Sequence, residues 1–253
     1  MLYLQTSEHS GDIVFENFEM EGMVGESHYW SEALMVNTLS NEIKKLAAKF
    51  QKYLREEYSD IKTILKFRSQ FQLLVSIVLS AQTTDENVNK ATKGLFKEYP
   101  NAKLLSEANL KDIERLVFST GFYKVKSKNI HSLSKDLVNK YNSRIPKTIE
   151  ELIKLPGVGR KTASVFLAET FDQPTIAVDT HVLRVSHRLG FSTKRHDPIQ
   201  TEKELKLLFP KTFWRYLSMS FVQFGRDICN AKRPLCNVCQ FNNSCKYYLS
   251  VNT

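Results

Sequence analysis

A lysine that opens a helix directly behind two glycines, with an aspartate further along the chain, can do chemistry beside a phosphate. The residues are Leu155-Pro156-Gly157-Val158-Gly159-Arg160-Lys161 and Val178-Asp179-Thr180-His181. Gly157 and Gly159 admit backbone angles that other residues resist, so the chain can turn tightly and aim bare N–H groups at an anion. The positive end of the following helix points to the same place. The Lys161 amine in the first turn of that helix is a candidate nucleophile. Asp179 has two readings that can coexist: a carboxylate partner for the amine, or the N-cap of a helix running Thr180-His181-Val182-Leu183-Arg184-Val185.

The elements that must hold these groups are helical. Thr148 with Glu151 three residues on forms a capping box, and Ile149, Leu152, Ile153 and Leu155 supply an apolar stripe that stops at Pro156. A second helix starts near Lys161 and runs through Ala168, giving a helix-hairpin-helix over about residues 148–171. Further stripes predict helices elsewhere: Ile43, Leu46, Ala47, Phe50, Tyr53 and Leu54 near residues 43–60, and a buried segment from Phe71 to Leu79. Leu110, Ile113, Leu116 and Val117 predict another, capped by Ser106; Ile130, Leu133, Leu137 and Tyr141 one more; Trp214, Leu217, Phe221 and Val222 a late one. The expected fold class is all-α.

Cys229, Cys236, Cys239 and Cys245 are the only cysteines and lie together at the end of the chain. Such clustering implies a metal centre. With no secretion signal a reducing compartment is expected, which disfavours disulfides. Four thiolates suit either zinc or a 4Fe-4S cluster, and the short Cys-x-x-Cys unit taken by itself favours zinc. Charge is unevenly spread: residues 1–43 hold eight acids and no Lys or Arg. The total of 36 basic residues therefore faces 19 acids (27 less eight) in the remainder, a formal +17 against +9 for the whole chain. That surplus favours a polyanionic partner and leaves nucleic acid, acidic lipid and plain solubility open. No apolar run approaches a membrane span.

The ordered set Leu79-Ser80-Ala81-Gln82-Thr83-Thr84-Asp85, Gly121-Phe122-Tyr123, Leu155 to Ala163, Val178 to Val182 and the terminal cysteines resembles the endonuclease III branch of the helix-hairpin-helix DNA glycosylases, from about Phe67 to Tyr247. The resemblance implies an enzyme that excises oxidised pyrimidines from double-stranded DNA and then cuts the abasic site on its 3′ side by β-elimination. Lys161 matches the family's nucleophile and Asp179 its essential carboxylate. The adenine-specific and thymine-mismatch branches usually carry another residue where Lys161 stands, so lysine argues for lyase activity. Gln82 and Phe122 match the residues that fill the hole left by a flipped nucleotide, although members more often have an aliphatic residue at Phe122, which by composition alone reads as core. The remaining implied DNA contacts are Leu155, Gly157, Val158 and Gly159 of the hairpin, Thr180 and His181, and Lys232 and Arg233 between the first two cysteines. This cysteine spacing is the family's iron–sulfur loop, which turns the preference from zinc to a 4Fe-4S cluster.

The resemblance further implies two lobes: six helices over about residues 64–173, and a cluster lobe made of 43–63 with 174–253. A monomer is expected, acting on duplexes with damaged pyrimidines or abasic sites, with no membrane role. It would be intracellular, in the cytoplasm and nucleoid of a bacterium or the nucleus of a eukaryote. Two departures stand out. Phe224 precedes Gly225 where many members have His, and residues 1–42 form an acidic tail, expected to be disordered, that has no counterpart in the family.

Overall fold

The computed structural model describes residues 40–58, 61 and 63–252. Residues 1–39 of the expected tail lie outside them, and helix α1 (Asn41–Glu57) begins two residues inside it. All regular elements among the described residues are helical. No helix among them is long and apolar enough to cross a membrane.

Two hydrophobic cores organise the chain. The first surrounds α2 (Gln70–Leu79), in which every residue from Phe71 to Leu79 is buried. A helix apolar on all sides has to be enclosed by others. Packed around it are α3 (Asp85–Glu98), α4 (Ala102–Glu107), α5 (Leu110–Val117), α6 (Tyr123–Tyr141), the single turn α7 (Ile149–Leu152) and α8 (Arg160–Phe171). Side-chain oxygens of Ser69, Thr84, Asn101 and Asn109 satisfy the free N–H groups that start α2 to α5. Asn109, not Ser106, therefore caps α5. Ser106 lies inside α4, its hydroxyl donating to the Lys103 carbonyl (2.7 Å).

The second core combines distant parts of the sequence. Leu46, Ala47, Phe50 and Leu54 of α1 pack against α9 (Thr180–Leu189), α10 (Pro198–Leu208) and α11 (Trp214–Asp227). Phe50 stands at its centre, edge-on to Phe221, Phe224 and Phe241 with ring centroids 4.9–5.2 Å apart. Phe224 is thus a packing residue, and it also lines the cavity formed by the cysteines. The last helix, α12 (Lys246–Val251), follows Cys245 directly.

Candidate functional site

The hairpin forms as expected, with its apolar residues turned inward. Thr148 Oγ1 accepts from the Glu151 N–H at 3.3 Å and donates to the Glu151 carboxylate at 3.4 Å, starting α7. Leu155 and Val158 are only 2% and 5% exposed and belong to the first core. The Val158 N–H already donates to the Leu155 carbonyl. These two residues anchor the hairpin with their side chains, so what the turn presents outward is backbone.

The two glycines differ in what requires them. Gly157 has φ +78°, and a Cβ there would lie 2.9 Å from Cβ of Asn129 on α6. Gly159 has an ordinary φ of −89°, and a Cβ added to it would meet nothing within 4 Å. Folding demands glycine at 157; at 159 the bare backbone leaves space for something else to approach the N-terminus of α8. Gly157→Ala is expected to cost about 2 kcal/mol and lower Tm by roughly 4–8 °C, with Gly159→Ala within about 1 °C of the parent. Calorimetry of both variants checks this. Lys161 sits exposed in the turn that Gly159 starts.

Asp179 caps α9. Its Oδ1 accepts from the N–H groups of His181 (2.8 Å) and Val182 (2.9 Å), while Oδ2 lies 3.1 Å from His181 Nδ1. Its side chain retains 16% exposure. Ahead of it, the Ala177 N–H donates to Ser218 Oγ on α11 at 2.8 Å, fixing the approach to the cap. His181 is part-buried against Gly225, whose added Cβ would stand 3.2 Å from the His181 ring. Thr180 is exposed. Among the described residues no ion pair joins Lys161 to Asp179; the amine starts a helix of the first core and the carboxylate a helix of the second.

Gln82 and Phe122 share a feature that periodicity does not show. Both are exposed, and both hold left-handed backbone, at φ +54° and +47°. The other non-glycine residues with positive φ among the described residues, Asn142, Ser143 and Asp172, all follow a helix end, where such angles are ordinary. Left-handed backbone at a Gln and a Phe costs on the order of 1 kcal/mol or more each and is typical of sites under functional constraint. The Gln82 amide makes no hydrogen bond among the described residues. Phe122 is 67% exposed, so the core reading drawn from its composition is wrong. Beneath it the buried ammonium of Lys126 donates to the Thr120 carbonyl at 2.7 Å, holding the turn that presents Phe122; burial lowers the pKa of this amine.

All four cysteines line one cavity, together with Arg188, Phe224 and Tyr247. No three His, Cys, Asp or Glu side chains among the described residues stand as a ready ligand set for one metal ion. A single zinc would need four sulfurs drawn to about 2.3 Å from one point. The four thiols around this one chamber are the donor set that a thiolate-bound metal centre requires. Burial pushes the Cys236, Cys239 and Cys245 thiols up, and neighbouring cysteines add to the effect, while backbone hydrogen bonds at Cys239 and Cys245 and Arg188 beside Cys236 oppose it. Arg184 and Arg188 tie this loop to α9: Arg184 donates to the carbonyls of Gly225 and Cys229, Arg188 to those of Asn230 and Ala231 and to Cys229 Sγ. Lys232 and Arg233 project exposed from the segment so held. Sequence reading missed both arginines; their i, i+4 spacing behind Asp179 was the available signal.

Residues 75–211 match the family described as the HhH-GPD superfamily of base excision DNA repair proteins. Endonuclease III of Synechocystis sp. is 41% identical over 214 residues, covering 82% of this chain and 97% of the relative. Endonuclease III of Thermotoga maritima is 46% identical over 178 residues, covering 70% and 83%. Among solved structures, a trapped endonuclease III–DNA covalent intermediate superposes with a TM-score of 0.79 at 38% identity, covering 85% of this chain and all of the other. A thermostable thymine-DNA glycosylase shares the fold at 20% identity, with a TM-score of 0.73.

Proposed function

The chain belongs to the endonuclease III family within the HhH-GPD base excision repair proteins, a family of DNA glycosylases with abasic-site lyase activity, and on that premise we propose which residues carry the reaction and on what substrate. The observation that carries the reading is the exposed Lys161 amine in the first turn behind Gly159, where the backbone lies open to a phosphate.

The substrate is duplex DNA containing an oxidised pyrimidine. The N–H groups at the start of α8 hold a phosphate beside the lesion while the damaged nucleotide leaves the stack. Gln82 enters the vacated space and pairs with the orphaned base, and Phe122 wedges next to it. The Lys161 amine attacks C1′; the glycosidic bond breaks with its electron pair going to the base. The Asp179 carboxylate, held by two backbone N–H groups, stabilises positive charge as it develops on the sugar. Opening of the sugar ring gives a Schiff base between Lys161 and C1′. Loss of a 2′ proton then expels the 3′ phosphate by β-elimination, and water releases the lysine. The lobes we assign, 64–173 and 43–63 with 174–253, follow the two hydrophobic cores, with the DNA lying across both.

We assign Cys229, Cys236, Cys239 and Cys245 to a 4Fe-4S cluster. When bound, it would cross-link the loop that carries Lys232 and Arg233 and set it against the DNA backbone. Purified protein should contain iron and acid-labile sulfide and absorb broadly in the visible; zinc without sulfide would defeat the assignment. Each phosphate contact adds about −0.9 to the slope of log affinity against log salt, so Lys232→Ala should make that slope shallower by about one contact. An unchanged slope would remove Lys232 from the interface. The enzyme acts as a monomer inside the cell.

The lesion class is tested by borohydride crosslinking to a panel of duplexes. Thymine glycol and 5-hydroxycytosine should trap most strongly. Preferential attack on 8-oxoguanine, or adenine or G·T excision without trapping, would contradict the assignment.

A further inference from the structure

The first residue of α8 is an arginine, in a hairpin that faces a phosphate, yet its guanidinium is engaged elsewhere. Arg160 Nε and Nη2 donate to Glu202 Oε2 (2.8 Å) and Oε1 (3.2 Å) on α10. The Glu202 side chain is only 5% exposed, and its Oε1 also accepts from Lys206 Nζ at 2.6 Å. Lys206 in turn lies over the Trp214 ring, 5.3 Å from its centroid. Burial disfavours the Glu202 carboxylate; its bonds to Arg160 and Lys206 more than offset that and hold its pKa below the ordinary value. A buried carboxylate with no cation would be costly, so the pairing is under strong constraint. The planar fork of Arg160 adds direction, because two N–H groups fix both distance and tilt.

The location gives the pairing its meaning. Ala163, Phe166 and Leu167 root α8 in the first core; Leu205 roots α10 in the second, the core that also holds the Asp179 helix. The bridge therefore ties the two cores together at the residue adjacent to Lys161. We propose that Glu202, acting through Arg160, is a positioning residue for the reaction. It locks the first turn of α8 against the elements that carry Asp179, so that amine and carboxylate reach the same sugar. This rests on the function assigned above.

The competing role for Arg160 is a phosphate contact, which salt dependence tells apart. Full-length Glu202→Gln, Arg160→Ala and their double variant are compared with the parent on a duplex bearing one bare abasic site. The readouts are the single-turnover rate of borohydride-trappable imine and the affinity for a tetrahydrofuran abasic analogue at several salt concentrations. A misplacement of about 1 Å costs on the order of 100-fold in rate, so imine formation at saturating enzyme should fall about 10- to 100-fold in either single variant. The double should be no slower than the worse single, and affinity should change less than about threefold. The salt slope of Arg160→Ala should match the parent's. Should Glu202→Gln lose its helical circular dichroism, Arg160→Lys keeps a cation beside the buried carboxylate without the fork; it should fold and still slow imine formation, by roughly three- to tenfold.

Parent-like imine rates in a folded Glu202→Gln or Arg160→Lys would overturn the positioning role. So would a slope shallower by about 0.9 in Arg160→Ala, which would make Arg160 a DNA contact. A parent enzyme that forms no crosslink at all would instead sink the lysine chemistry itself.

Discussion

A Lys161→Ala enzyme is expected to form no borohydride crosslink and to cut abasic DNA roughly 10,000-fold more slowly than the parent, while binding duplex DNA nearly as well. The side chain is exposed and makes no ion pair or hydrogen bond among the described residues, so its removal leaves no buried partner unsatisfied. The phosphate grip belongs to the backbone behind Gly159 and to the start of α8, which alanine preserves. What disappears is the amine that forms the imine with C1′. Gel-shift affinity, Tm and strand cleavage measured on one preparation check all three statements. Weakened binding in parallel with lost cleavage would make Lys161 a DNA contact and not a nucleophile.

Asp179→Asn is expected to slow base release by about 100- to 10,000-fold with little change in Tm. Asparagine caps helices about as well as aspartate, so its side-chain oxygen can still accept from the His181 and Val182 N–H groups. The negative charge goes, and with it the stabilisation of a sugar turning cationic. Asp179→Ala removes the cap as well, at about 1 kcal/mol of stability. If Asn restored both Tm and base release relative to Ala, Asp179 would be a cap and nothing more. Single-turnover excision, read with calorimetry for the two variants, separates the roles.

Much of this arrangement was legible because it is local. The Thr148 cap, the turn at Gly157, the Asp179 cap and the stripe of α1 depend on neighbours within one or two helical turns and formed as expected, whereas Gly159 keeps an ordinary φ. Ser106 misled because serine can cap a helix or bond back to a carbonyl one turn earlier, and Asn109 was the better placed cap. Leu155 and Val158 could not be separated from the glycines between them by sequence: the hairpin needs small residues at its surface and large ones beneath it, and the pattern does not say which apolar residue faces the ligand. Phe122 looked like core because aromatic residues usually are; only its backbone, set in part by Lys126 and the Thr120 carbonyl, turns it outward. The bridge from Arg160 to Glu202 spans 42 residues and has no local signature at all.

The proposed reaction turns on one covalent bond, between Lys161 and C1′, so the most direct measurement is to find it. The parent enzyme is trapped with borohydride on a thymine glycol duplex, digested with protease and nuclease, and the peptide carrying the deoxyribose remnant is sequenced by mass spectrometry. The account predicts a single modified residue, Lys161. A remnant on another lysine, or on no lysine at all, would contradict it.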